Sequence, residues 1–223
     1  ELVEEARQDD EVVGLLLTGS LARGDALPGT DIDLRYVLEA GLARPFRSAP
    51  RRGVLVEQSY ADARSAEEKL ASNAMHVYAY LDGRILDDPK GVLARLREFA
   101  RQRFETYRTP EEDKERIAFL LQCARDKIVV GLDGGDVLRA AYVTATTSWQ
   151  IIEGLWAAND RPLPPNSSVR PHLQDLAQGP PEVERRFRQL FTGDTRERID
   201  TALELIDWVQ DRLRDGGRPE RSV

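Results

Sequence analysis

Apolar and polar positions follow two rhythms along the chain, and the change falls near Pro89. Before it, short apolar runs are separated by turn residues. Val12-Val13-Gly14-Leu15-Leu16-Leu17 is a continuous apolar run, the pattern of a buried strand, and a short polar helix over residues 1–10 precedes it. A second strand runs from Asp31 to Val37, with Ile32 and Leu34 facing the core. Residues 40–53, rich in Arg, Pro, Gly and Ala, read as a connecting loop bearing Arg44, Arg47, Arg51 and Arg52. A third strand covers Val54 to Tyr60. The next helix takes Ser65 as N-cap, with Glu68 at the capping-box position. A short element around His76–Tyr80, a turn at Asp82-Gly83 and a strand at Arg84–Asp87 close this part.

Beyond Pro89 the period becomes helical. One helix is expected over Gly91–Tyr107. Another opens at Thr109-Pro110-Glu111-Glu112, where Thr109 caps and Pro110 sits in the first turn. It carries Ile117, Leu120, Leu121, Ala124 and Ile128 on one face until Gly131–Gly135 breaks it. Asp136–Ala158 follows with Leu138, Tyr142, Trp149, Ile152 and Trp156. Asn159–Ser168, with its three prolines, is a structured loop. Shorter helices are expected at Val169–Leu176 and Pro181–Phe191, then a last one after Gly193 with Ile199, Ala202, Leu203, Ile206 and Val209 aligned. The tail from Asp215 is polar and reads as frayed. Trp149, Trp156 and Trp208 read as core. The predicted fold class is α+β: a small α/β domain with a mixed sheet over 1–90, followed by an all-α helical bundle over 91–223.

Composition narrows the classes of function. Hydrophobic residues make up 41% and charged residues 32% of 223, which describes a globular chain able to bury a core. No run of eighteen apolar residues and no signal-type N-terminus is present, so a cytoplasmic protein without a membrane partner is expected. The single Cys123 excludes an internal disulfide and reads as helix packing. His76 and His172 lie far apart and offer no zinc spacing. The net charge of −7, concentrated in the first hundred residues, is the wrong sign for gripping a nucleic-acid backbone. The sequence contains no Walker-type loop and suggests no Ser/His/Asp set.

The dense chemistry lies in Thr18-Gly19-Ser20-Leu21-Ala22-Arg23-Gly24-Asp25, Pro28-Gly29-Thr30 and Asp31-Ile32-Asp33-Leu34. A strand that runs into Gly19-Ser20 makes a tight turn whose N–H groups and hydroxyl can face an anion. Asp31 and Asp33 are two residues apart on a strand, so both carboxylates project to one face. Carboxylates held that close repel, and a hard divalent cation relieves them; Mg²⁺ suits such oxygen donors better than zinc. Glu57 ends the apolar run Val54-Leu55-Val56 on a strand expected beside Asp31–Val37 and can supply a third carboxylate. An EF-hand is excluded because Tyr36 stands where its loop needs Gly.

This stretch resembles the active-site motif of the DNA polymerase β-type nucleotidyltransferase superfamily, a Gly-Ser turn followed by Asp-h-Asp-h. It is closest to the small-molecule branch of aminoglycoside and lincosamide nucleotidyltransferases and their minimal relatives. The tight match covers residues 14–34, with a looser one through Glu57 and Leu81–Pro89. The resemblance implies transfer of a nucleoside monophosphate, AMP from ATP, to a hydroxyl of a small molecule, with antibiotic resistance as the typical outcome. It implies two Mg²⁺ ions held by Asp31 and Asp33, with Glu57 as third ligand or general base. It further implies triphosphate contacts from Gly19, Ser20 and Arg23. Lys127 and Glu153, in the helical half, are candidates for a phosphate contact and an acceptor contact. A homodimer is an option in this family. Two other readings stand beside it: a protein-adenylylating, antitoxin-like minimal nucleotidyltransferase, and a non-catalytic nucleotide-binding module.

Overall fold

The computed structural model describes residues 1–214, which leaves the expected frayed tail from Asp215 outside the described residues. The chain divides into two compact units. One comprises Glu1–Tyr107 together with Pro164–Ser168, the other Arg108–Leu163 and the chain from Val169 on.

The first unit is built on a five-stranded mixed sheet. After helix α1 (Leu2–Arg7) come β1 (Val12–Thr18), a one-turn helix α2 (Gly19–Arg23), β2 (Ile32–Leu38), β3 (Arg47–Arg51) and β4 (Val54–Asp62). Helices α3 (Ala63–Ser72) and α4 (Val77–Leu81), strand β5 (Arg84–Asp87) and helix α5 (Val92–Thr106) complete it. The spatial order is β3-β4-β2-β1-β5, with β2 parallel to β4 and every other pairing antiparallel. The continuous apolar run of β1 places it inside the sheet, with helices over one face. There Val13, Leu16 and Val37 pack with Leu70 of α3, Tyr78 of α4 and Leu93 and Leu96 of α5. On the other face Leu15, Leu17, Leu34, Tyr36 and Val56 pack with Ala6 of α1. Residues 92–106, read from their period as part of the helical half, therefore belong to the sheet unit.

Three local expectations are corrected. Residues 40–53 are not wholly loop, because Arg47–Arg51 forms the edge strand β3, joined to β4 by a two-residue turn at Arg52-Gly53 with φ of 49° and 81°. Both positive angles match the hairpin turn that follows strand twist. All five β3 residues are exposed and one is Pro50, so no apolar alternation marks them, and charge with proline suits an edge. The loop arginines are also not merely solvated: Arg44 binds Asp9 at 2.5 Å and Arg51 binds Glu5 at 2.7 Å, tying this segment to α1 and the loop after it. Helix α3 starts earlier than the Ser65 signal suggests, with Asp62 as N-cap accepting from the Ser65 N–H at 2.8 Å.

Asp62 is buried, and its other oxygen accepts from Gly41 N–H at 2.9 Å. The Ser65 hydroxyl, then the N–H groups of Gly41 and Ser65, hold its pKa at about 2. The folded value lies below the ordinary 3.8, so this stabilisation is present above that ordinary value and is lost as pH falls toward 2. Asp62→Ala is expected to cost about 1 kcal/mol, the usual worth of such a cap. In urea unfolding, the gap between variant and wild type should close below pH 3.8.

The second unit is helical: α6 (Glu111–Asp133), α7 (Val137–Ala157), α8 (Val183–Thr192) and α9 (Thr195–Arg214). Trp156 is its largest fully buried side chain, packed with Leu121, Ile128, Ile151, Ile206 and Val209, while Trp149 and Trp208 border that core. Of the apolar faces expected from the helical period, Ile117, Leu121, Ala124 and Ile128 of α6, Ile152 and Trp156 of α7 and Ile199, Ala202, Ile206 and Val209 of α9 are buried. Leu120, Leu138 and Tyr142 are exposed, and the first half of α7 buries the small side chains Ala140, Thr144 and Thr147 instead. Asp136 caps α7 by accepting from Arg139 N–H at 2.9 Å. Thr109 does not cap α6; it is buried, and its hydroxyl donates to the Ala157 carbonyl at 3.4 Å while Pro110 takes the cap position.

Candidate active site

Strand register sets the position of each candidate residue in the first unit. Asp33 is paired with Thr18 across the antiparallel β1–β2 ladder and with Glu57 across the parallel β2–β4 ladder. It is thus flanked on one side by the end of β1, where Gly19 begins, and on the other by an acid. Asp31 lies two residues before it, just ahead of β2, on the same side. The result is three carboxylates with oxygen atoms all within 4.8 Å of one another, none fully buried and none fully exposed.

This grouping costs the bare protein. Burial, then the charges of Asp31 and Glu57, push the Asp33 pKa up, while Arg35 and Arg23 pull it down. Three oxygen donors at that separation, one with its ionised form disfavoured by the other two, fit a divalent cation with a preference for oxygen.

Gly19 has φ of +70°, a conformation that L side chains rarely adopt, and a Cβ there would fall inside the Asp33 carboxylate. The turn is therefore glycine for two reasons at once, backbone handedness and close approach. The expected Gly-Ser turn is the first turn of α2, which Gly24 stops at φ 89°.

Ser20, Arg23, Asp31 and Asp33 line one hollow of about 570 Å³, together with Asp25, Thr30 and Ser167. That is the volume range of small-molecule sites. Arg23 is the cation of this lining, and its side chain is only 10% exposed. It donates to Ser168 Oγ at 2.9 Å and lies 3.2 Å from Asp25 and 4.0 Å from Asp82. Its buried Nε makes no hydrogen bond despite the nearby Asp25, because the approach is poorly aligned. Ser167 and Ser168 come from a segment whose sequence context points to the helical half, and no local signal marks them.

Lys127 and Glu153 belong to the second unit. Lys127 is exposed on α6 beside Cys123, Arg139 and Tyr142 around a separate hollow. Glu153 on α7 holds Arg116 of α6 at 2.6 Å, an ion pair that accounts for its place among apolar neighbours.

Comparison with known proteins identifies the domain that carries the triad. Residues 1–108 match the model of the nucleotidyltransferase domain. They form a nucleotidyltransferase domain. The mixed sheet followed by helices agrees with that fold, and the acidic triad lies within the matched residues. The chain is also similar to a solved nucleotidyltransferase-like protein from Exiguobacterium sibiricum 255-15, at 14% identity and a TM-score of 0.47, over 97% of this chain and 74% of that one. None of the curated proteins matches the chain. Among the described residues no helix is long and apolar enough to cross a membrane.

Proposed function

We propose that the nucleotidyltransferase domain is an active adenylyltransferase, moving AMP from ATP to a hydroxyl of a small molecule. The observation that carries this reading is the placement of Asp33, paired in register with Glu57 and in contact range of Gly19, within a triad able to hold metal. Mg²⁺ held by Asp31, Asp33 and Glu57 would neutralise phosphate charge and lower the pKa of an acceptor hydroxyl.

The chain's own residues divide the remaining work. Ser20 and the backbone N–H groups beside it hold the terminal phosphates, and Arg23, fixed by Ser168, adds positive charge to the same wall. The acceptor oxygen attacks the α-phosphorus. The bond from that phosphorus to the bridging oxygen breaks, and pyrophosphate leaves with the electron pair. Glu57, paired with Asp33 in register, takes the hydroxyl proton on the carboxylate oxygen that is not holding the ion. Lys127 and Glu153 are not needed for this reading, and Glu153 already has a partner.

The lining of the hollow contributes Asp25, Asp31 and Asp33 against one arginine, so a triphosphate meets net negative charge without metal. ATP binding measured by calorimetry is therefore expected with Mg²⁺ and lost in EDTA, a fall of at least tenfold in affinity. The direct test is pyrophosphate release from Mg·ATP with a panel of aminoglycosides, lincosamides and other hydroxyl compounds. Turnover with an acceptor that disappears in Asp31→Asn/Asp33→Asn supports the transferase. Label appearing on protein in place of a small acceptor would favour adenylylation of a protein. ATP binding indifferent to both metal and the double substitution would sink the catalytic reading.

A further inference from the structure

Along the sheet face that carries the triad, the next inward-facing positions are Arg35 on β2 and Ser59 on β4, which are paired in register one step beyond Asp33 and Glu57. They line a small hollow of about 40 Å³ with Lys69 of α3, His76 and Tyr80 of α4. The chain carries an excess of acid, yet among the described residues Arg35, Lys69 and His76 form no ion pair with a carboxylate. Some arginines of this unit are matched, Arg7 with Asp87, Arg44 with Asp9, Arg51 with Glu5 and Arg64 with Glu68, while Arg97 and Arg103 donate to backbone carbonyls. Arg35 is close enough to Asp33 to favour its ionised form but is not bonded to it. Arg35 also hydrogen-bonds the Tyr80 hydroxyl, and burial, then Arg35 and Lys69, hold the His76 pKa below the usual imidazole value, which places the three groups in one another's field.

Two cations and an imidazole line one cavity, so an anion entering it would meet all three. The cavity also lies away from the Gly19-Ser20 turn, which is across Asp33 toward β1, whereas Arg35 and Ser59 lie along the strands. Positions two apart on a strand are about 7 Å apart, the span between a hydroxyl and a charged end group in a small phosphorylated or carboxylated compound.

We propose that the acceptor is anionic, and that Arg35, Lys69 and His76 hold its phosphate or carboxylate while its hydroxyl faces Glu57. This rests on the transfer reading for the acceptor's role, but the anion site itself can be tested without it.

In metal-free, nucleotide-free buffer, inorganic phosphate and malonate are titrated into the full chain, with the His76 imidazole followed by NMR and the heat by calorimetry. Saturable binding that moves the His76 signal is expected, weakened at least tenfold in Arg35→Gln/Lys69→Gln and largely kept in Arg35→Lys. Which of the two anions binds more tightly separates a phosphate from a carboxylate group. Absence of saturable binding, or equal affinity in the double variant, overturns the proposal. The second arm compares pyrophosphate release with sugar phosphates and hydroxy acids against their uncharged parents. The charged acceptors should show at least tenfold higher kcat/KM, an advantage lost through KM in the double variant. Equal turnover of charged and uncharged acceptors overturns the proposal and leaves the transferase standing. Phosphate binding without any metal-dependent ATP binding leaves the anion site standing and removes the transferase.

Discussion

Asp33→Asn is expected to lower kcat/KM for nucleotidyl transfer by about 10³-fold or more, the scale seen when a central electrostatic or metal-holding group is removed. Asp33 is held by register on both sides, with Thr18 toward β1 and Glu57 toward β4, and it is the carboxylate that Gly19 approaches. The same substitution should raise the melting temperature of the metal-free protein. Burial, then Asp31 and Glu57, push the Asp33 pKa above its ordinary 3.8, so the ionised group works against folding. The sign follows from linkage: there is no penalty at acid pH, the penalty grows as pH rises through the window from 3.8 to the raised value, and it persists above it. Asparagine removes the charge and with it the penalty. Melts in EDTA at neutral pH should show the variant above wild type, and melts at acid pH should show the gap shrink. Excess Mg²⁺ should reverse the order, because only the wild type gains from the ion. An inactive variant that also melts lower at neutral pH without metal would show that Asp33 is structural and would defeat this account.

Gly19→Ala carries the second largest effect. The alanine must adopt φ near +70°, which costs about 1–2 kcal/mol for an L residue, and its methyl would overlap the Asp33 carboxylate. Relief of that overlap requires Asp33 or the turn to shift, and misplacement of a reacting group by about 1 Å can cost 10²-fold in rate. The expected result is a loss of at least about 10²-fold in kcat/KM, together with that destabilisation in urea unfolding. Gly24→Ala is the control: Gly24 also has positive φ, at +89°, but a Cβ there meets nothing within 4 Å. It should cost stability similarly with a much smaller effect on rate. Equal losses of rate in the two variants would mean that the approach to Asp33 is not what Gly19 provides.

The site was legible where chemistry and local spacing coincide. Asp31 and Asp33 share a face because they are two apart on a strand, and Glu57 joins them because an apolar run ends in an acid on the neighbouring strand. The strands β1, β2, β4 and β5 and the helices α6, α7, α8 and α9 follow from period and turn residues, whereas Val169–Leu176, read as a short helix, holds only the single 3₁₀ turn Leu173–Asp175. The edge strand β3 was not legible, since Arg-Ser-Ala-Pro-Arg buries nothing and its pairing is set by the hairpin turn at Arg52-Gly53. The cap of α3 was misplaced by three residues because Ser65 and Asp62 are both good caps, and the tertiary bond from Gly41 decides between them. Helix α5 carries an ordinary amphipathic period that cannot say which core it will join. The basic hollow around Arg35 could not be read from spacing, because Lys69 and His76 come from separate helical segments.

Arg23 has a partner far along the chain. Ser168 stands 145 positions after it, in the short stretch Pro164–Ser168 that belongs with the sheet unit while its flanks on both sides belong to the helical one. The matched domain ends at residue 108, so a polypeptide emerging from the ribosome presents a finished sheet well before it can present a finished site. During that interval the Arg23 guanidinium lacks Ser168, and the wall of the hollow lacks Ser167. Nucleotide grip would then mature late in biosynthesis, after the polypeptide has left the sheet unit, laid down two long helices and come back.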